Sequence, residues 1–301
     1  TLLSWKHEVM ATSDDADGKH LENEQYHLGR DSWFTEGTEK REEHTRPERT
    51  IHEPARETPV HEETDVLVVG GGPAGCAAAV AAARLGAKVT LVERYNHLGG
   101  LSTGGLVIWI DRMSDWEGTQ IITGFASEIL DRLPAGAVAG APPEQWGSPD
   151  PEHVAHWRER LSAFRDVVCW SPMIDPEWLK FESVQMLDEA GVRLLLHSWV
   201  VDVVAEDRQL RGVIFESKQG RRAILAKVVV DCSGDLDVCA QAGVPYEADV
   251  EGKGSNVQHC MNTAFTWAGV DFKRWVEFKR SDPKAHRALT KLGKEELGYL
   301  E

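Results

Sequence analysis

The residues Gly70-Gly71-Gly72-Pro73-Ala74-Gly75 form a G-x-G-x-x-G match. Each glycine has its own task if a diphosphate is to be bound. Gly70 permits a tight turn, Gly72 leaves the backbone bare for a pyrophosphate, and Gly75 lets a helix pack closely on a strand. The N–H groups and positive end of that helix then face the phosphates. Glu93 stands 18 residues past Gly75, close to the roughly 20 expected for a carboxylate that binds a ribose diol. An acidic rather than basic residue there disfavours a 2′-phosphorylated ligand. More glycines, Gly99-Gly100 and Gly104-Gly105, follow in VERYNHLGGLSTGG (92–105). Spacing alone does not separate NAD from FAD. A second stretch of bare backbone beyond the pyrophosphate suits the longer ligand.

A glycine motif carries weight only between a strand and a helix. DVLVVG (65–70) is an apolar run bounded by a charge and a glycine, the pattern of a buried parallel strand. PAGCAAAVAAARLGA (73–87) is a helix, with Pro73 in the first turn and Gly86 as its stop. KVTLVE (88–93) is a second buried strand, so the motif lies in a βαβ unit. Beyond it the pattern predicts helices over 118–133, 151–164 and 175–191, the last with Asp175 as N-cap, Pro176 first and Gly191 just past the end. Residues 134–151 read as a loop. Strands are expected at 193–204, 210–217 and 222–230, turning at Gly212 and Gly220 as an antiparallel meander.

Other reactive side chains have plainer readings. Cys76 in its alanine-rich helix is a small core residue. Cys232 and Cys239 are too far apart for a thioredoxin-like pair. His97 is a polar loop residue close to the motif, and Ser102 and Thr103 are candidates to hydrogen-bond a cofactor. Trp109, Trp116, Trp146, Trp157 and Trp170 are read as packing residues, with a substrate cavity as the alternative. No nucleophile–base pair identifies a catalytic residue. The histidines at 7, 20, 27, 44 and 52 are too dispersed to form a metal site.

The 301 residues carry a net charge of −16, which argues against binding nucleic acid or an anionic membrane. No apolar run reaches membrane-spanning length, and no basic-then-apolar leader opens the chain. Five separated cysteines (76, 169, 232, 239, 260) suggest neither disulfide scaffold, zinc ribbon nor iron–sulfur cluster. A reduced, cytoplasmic setting is the expectation. Residues 1–58 form a polar, partly disordered extension. Residues 59–133 and 184–247 make a Rossmann-like α/β domain with a parallel sheet and an antiparallel meander. Residues 134–183 are a helical insertion, and 248–301 begin a substrate or cap domain. A start at Thr1 suggests a fragment or a processed chain.

The stretch EPARETPVHEETDVLVVGGGPAGCAAAVAAARLGAKVTLVERYNHLGG (53–100) resembles the N-terminal segment of the FAD-dependent oxidoreductases, two-domain flavoproteins with a glutathione-reductase-type fold. It is most similar to the branch that contains the heterodisulfide reductase-like flavoproteins. AKVVVDCSGDLDVCAQAGVPYE (226–247) resembles the family's second flavin motif, and VQMLDEAGVRLLLHSWVVDVV (184–204) its helix-to-strand segment. The resemblance implies FAD as cofactor. Gly70, Gly72, Pro73, Ala74 and Gly75 would wrap its pyrophosphate. Glu93 would hold the adenosine ribose with Arg94 beside it. Gly100, Leu101 and Ser102 would line the path to the ribityl chain, Val200 would offer its backbone to the adenine, and Gly234 and Asp235 would contact the pyrophosphate or ribityl end. Asp235 is also suited to cap a helix from Leu236. The iron–sulfur centres of some relatives are not implied, because clustered cysteines are lacking. The family's later flavin-closing segment is not recognised before Glu301, so a truncated chain is expected. The function implied is transfer of a hydride or electron pair between a small organic substrate and the flavin, with a homo-oligomer or a redox partner compatible. A non-catalytic flavoprotein remnant and an NAD-linked dehydrogenase are the competing readings. The second motif and the later glycines count against the dehydrogenase.

Overall fold

The computed structural model describes residues 50–158, 160–207, 209–246 and 264–281. The chain forms two units, one of residues 53–246 and one of 1–52 with 247–301. Within the second, the described helix is Phe272–Ser281, in which the Trp275 and Phe278 rings lie 5.7 Å apart. The expected polar extension up to position 49, four of its histidines, Cys260 and most of 248–301 lie outside the described residues.

The first unit is built on one mixed sheet. Strand β1 (Val60–Val69) leads through the glycine turn into helix α1 (Pro73–Arg84), and β2 (Val89–Val92) follows. Then come α2 (Phe125–Arg132), β3 (Val138–Ala139), α3 (Pro151–Arg158), β4 (Ala163–Phe164), β5 (Val167–Val168), β6 (Met173–Ile174) and α4 (Pro176–Glu189). The chain returns to the sheet with β7 (Arg193–Leu195), β8 (Trp199–Glu206), β9 (Gln209–Ser217) and β10 (Gly220–Asp231), and α5 (Asp237–Gln241) closes the unit. The sheet order is β7-β2-β1-β10-β9-β8. The pairs β7–β2, β2–β1 and β1–β10 are parallel, while β10–β9 and β9–β8 are antiparallel. This is the α/β class with parallel sheet and meander that the apolar runs imply.

Apolar residues on successive positions of β1 serve opposite faces of the sheet. Val68 packs with Ala79 and Val80 of α1 and with Met186 and Leu187 of α4. Leu67 and Val69 pack on the other side with Val213, Phe215, Ile224 and Val238. A parallel sheet covered on both faces needs near-continuous apolar strands, and all four residues of β2 are buried.

Four expected elements change form. The run 193–204 is not one strand: His197 at φ +50° breaks it, so β7 joins β2 in parallel while β8 starts the meander. The third meander strand, β10, doubles as the parallel neighbour of β1. The helices expected over 118–133 and 151–164 are halved. Ile121 and Ile122 N–H groups donate to Met113 O instead of entering α2, and Ala163–Phe164 pair with Val167–Val168 as a small hairpin. Helix α4 has the expected limits, with the Asp175 carboxylate accepting from Glu177 and Trp178 N–H and Gly191 at φ +74°.

The tryptophans between β2 and α4 are packing groups. Trp146 and Trp170 stack at 4.7 Å, Trp157 and Trp146 cover a core of Ala141, Val154, Ala163 and Val168, and Trp116 stacks with Arg112 and Arg165.

Candidate nucleotide site

Sheet register gathers the motif residues. Val69 of β1 pairs with Val92 of β2 and Asp231 of β10, and Val92 pairs with Leu195 of β7. Four parallel strands therefore end level, and Gly70, Glu93, Leu196 and Cys232 emerge on one edge. In open α/β sheets, ligands occupy the crevice beyond such carboxyl ends, where neighbouring connections diverge. Here the chain leaves β1 toward β2 on one side, while β10 occupies the other.

The glycine turn is fixed by backbone crowding. Cys232 N–H donates to Val69 O, bringing β10 so close that a Cβ on Gly70 would lie 2.2 Å from Cys232 O. Gly70 also has φ +98°, a left-handed conformation suited to glycine. A Cβ on Gly75 would lie 1.8 Å from Gly70 O, so the helix sits directly on the turn. Gly72 differs: its backbone is extended (φ −69°, ψ −176°), and a Cβ there would meet no protein atom nearer than Gly100 Cα at 3.9 Å. Protein packing does not require glycine at 72. Helix α1 also begins without a side-chain cap, leaving its first-turn N–H groups for an anion.

Glu93 is buried at 6% exposure, yet it is tied to the turn. Its carboxylate accepts from Gly71 N–H at 2.6 Å and from Tyr95 N–H at 2.8 Å. Its own main chain bonds to Leu195 O and Ser198 N–H. Gly71, the middle of the motif, is closely packed: a Cβ would lie 2.5 Å from Leu98 Cδ2 and 3.2 Å from Glu93 Oε2, so the buried Leu98 side chain would have to shift. The later glycines complete the same wall. Gly99 N–H donates to Gly71 O, and a Cβ on Gly100 would lie 3.0 Å from Gly72 Cα. Leu101 and Ser102 follow in a single 3-10 turn, Leu101 exposed and Ser102 half-buried.

An open cleft of about 400 Å³, solvent included, lies along this edge. Val69, Gly70, Val92, Glu93, Arg94, Ser198, Trp199, Val200, Ser233 and Asp237 line it. The expected Gly70, Glu93, Arg94 and Val200 are thus brought together, and Gly72, Pro73 and Gly100 adjoin one another beside them. Gly234 (φ +97°) and Asp235 are exposed on the turn after β10, but Ser233 and Asp237 are the residues of that turn that line the cleft. Asp235 does not cap α5. The Ser233 hydroxyl accepts Asp237 N–H instead, and Leu236 stands at the N-cap in the left-handed region.

Asp231, overlooked in the sequence, holds this turn. It accepts from Ser233 N–H, the Ser233 hydroxyl and Cys239 N–H. Burial opposes its ionisation, but those donors prevail and keep the carboxyl below the usual aspartate range. Thr103 is buried, and its hydroxyl donates to Leu98 O at 2.6 Å. Cys76 is a core residue, its thiol pushed up to about 12 by burial. Burial raises the Cys232 and Cys239 thiols as well. Among the described residues no cluster of histidine, cysteine, aspartate or glutamate could hold a metal.

Fold and site together define a dinucleotide-binding α/β protein. The family model described as FAD dependent oxidoreductase matches residues 65–298, and the chain belongs to that family. The match is to the family as a whole and does not select a branch. Digeranylgeranylglycerophospholipid reductase 2 of Methanopyrus kandleri is 25% identical over 217 residues, 69% of this chain and 46% of that protein. The tRNA-modifying enzyme MnmG of Cytophaga hutchinsonii is 34% identical over 127 residues, 37% of this chain and 19% of that protein. The crystal structure of THI4 from Thermovibrio ammonificans aligns over 61% of this chain and 64% of that chain, with 19% identity and a TM-score of 0.36. The chain spans less than half the length of these curated relatives.

Proposed function

We propose that this chain is the flavin-binding portion of an oxidoreductase that moves a hydride or an electron pair between a small organic substrate and FAD. The observation that carries the reading is the bare backbone at Gly72, with no packing reason for glycine, beside a buried carboxylate anchored to the same turn. The donor set fits the cofactor. Gly70, Gly72, Pro73, Ala74 and Gly75 seat the diphosphate on the uncapped start of α1. Glu93 accepts from the ribose hydroxyls with Arg94 alongside. Val200 offers its backbone to the adenine. Gly100, Leu101 and Ser102 flank the ribityl path, and Gly234 with Asp235 close the other side. FAD, when bound, supplies the two-electron chemistry, while protein groups bind and orient it.

Electrons taken from a substrate must leave again, so an electron acceptor belongs to this reading, whether a redox partner or a small molecule. A second copy of the chain is compatible with it. Among the described residues no helix is long and apolar enough to cross a membrane. A reduced, cytoplasmic setting is part of the proposal, and the four cysteines among the described residues are free thiols.

The test is purification without added flavin. The protein should be yellow, should release FAD stoichiometrically on denaturation, and should bleach on anaerobic reduction. A colourless protein that takes up NAD but not FAD would overturn the proposal.

A further inference from the structure

We infer that Trp199 is the base-stacking residue of this nucleotide site and sets its preference for an adenine dinucleotide over a flavin mononucleotide; this rests on the flavin reading above. Trp199 opens β8. Its neighbour Val200 turns into the core at 9% exposure, and adjacent strand residues point to opposite faces. The indole is left 60% exposed, although a tryptophan gains most by burial. It is not an isolated surface aromatic, since it lines the same cleft as Glu93. The Arg94 guanidinium lies 5.8 Å from the indole centroid and 4.8 Å from the Tyr95 ring, so a cation is held between two aromatic faces at the cleft wall.

The chemistry of the sugar gives this surface its occupant. A carboxylate that accepts from the ribose 2′- and 3′-hydroxyls fixes the ribose, and the base is joined at the adjacent C1′. The group beside that carboxylate in the cleft therefore meets the base. A flat indole with a guanidinium alongside suits a heterocycle, because stacking requires no particular hydrogen-bond pattern. FMN lacks the adenosine ribose that Glu93 would hold, so nothing fixes its ring against this indole.

The full chain, stripped of flavin, would be titrated calorimetrically with FAD, ADP and FMN. Trp199→Ala should weaken FAD and ADP each by about tenfold and leave FMN unchanged, while Trp199→Phe should stay within about twofold of the wild type. Wild-type affinity of Trp199→Ala for FAD and ADP would overturn the inference while leaving the flavin reading intact. Equal weakening of FMN would overturn it too, by showing a general loss of structure. A wild-type chain that binds neither FAD nor ADP would remove the flavin reading and this inference together.

Discussion

Glu93 has two tasks at one position. Its carboxylate closes the glycine turn through Gly71 N–H and, in the proposed complex, accepts from the ribose. Glu93→Ala should therefore weaken FAD binding by about 1.5–3 kcal/mol, the worth of a charge-assisted hydrogen bond. It should also destabilise the flavin-free chain by about 1–3 kcal/mol, because Gly71 N–H loses its partner in a buried place. Titration calorimetry and denaturant unfolding separate the two effects; a binding loss with no stability loss would show that the turn does not depend on Glu93. Cys76 should resist alkylation in the folded protein at neutral pH, since burial pushes its thiol up to about 12. Mass-spectrometric mapping after iodoacetamide treatment checks this. At this scale the sequence names Gly70, Gly72, Gly75 and Glu93, because their spacing is local to one βαβ unit. Asp231, Ser233 and Trp199 are not legible, because their placement depends on where β10 and β8 end relative to β1.

Elements meet at the glycine turn with almost no slack. Gly75→Ala would place a methyl 1.8 Å from Gly70 O, a backbone atom that cannot swing aside. It should cost at least the roughly 1–3 kcal/mol of core overpacking, measured by denaturant unfolding; a silent Gly75→Ala would contradict the packing of α1 on the turn. The cap of α4 is an independent check: Asp175→Ala should cost about 0.5–2 kcal/mol. Both βαβ strands and α4 are legible in the sequence because their signals are short-range, a continuous apolar run or a cap followed by proline. The split of 193–204 is not. An apolar run conceals the break at His197, and the break is made by bonds to a distant strand, Glu93 N–H to Leu195 O and Ser198 N–H to Glu93 O. Gln120–Ile122 likewise look helical in isolation but bond to Met113 and Ser127.

Three helices of the larger unit are tied by one charged network. Arg84 of α1 bonds to Glu128 of α2, and Arg132 of α2 bonds to Glu189 of α4. Arg84 holds the Glu128 carboxyl below the usual glutamate value of 4.5, and Arg132 does the same for Glu189. Depressed folded-state values mean that this stabilisation is complete above about pH 4.5 and is lost as pH falls through the lower folded values. The melting temperature should decline below that pH, and Glu128→Gln should flatten the decline; an unchanged slope would exclude this network as a source of acid sensitivity. The molecule as a whole offers a sheet edge on which four strands end level and one glycine, Gly72, has neither a packing nor a backbone-conformation reason to be there. Gly72→Ala isolates that feature, since its backbone is extended and the added methyl meets protein only at 3.9 Å. The decisive measurement is the FAD affinity of flavin-stripped wild type and Gly72→Ala, with the thermal melt of each. Equal melts are expected, with loss of FAD binding in the variant alone; equal FAD affinity would contradict the placement of the diphosphate on this turn.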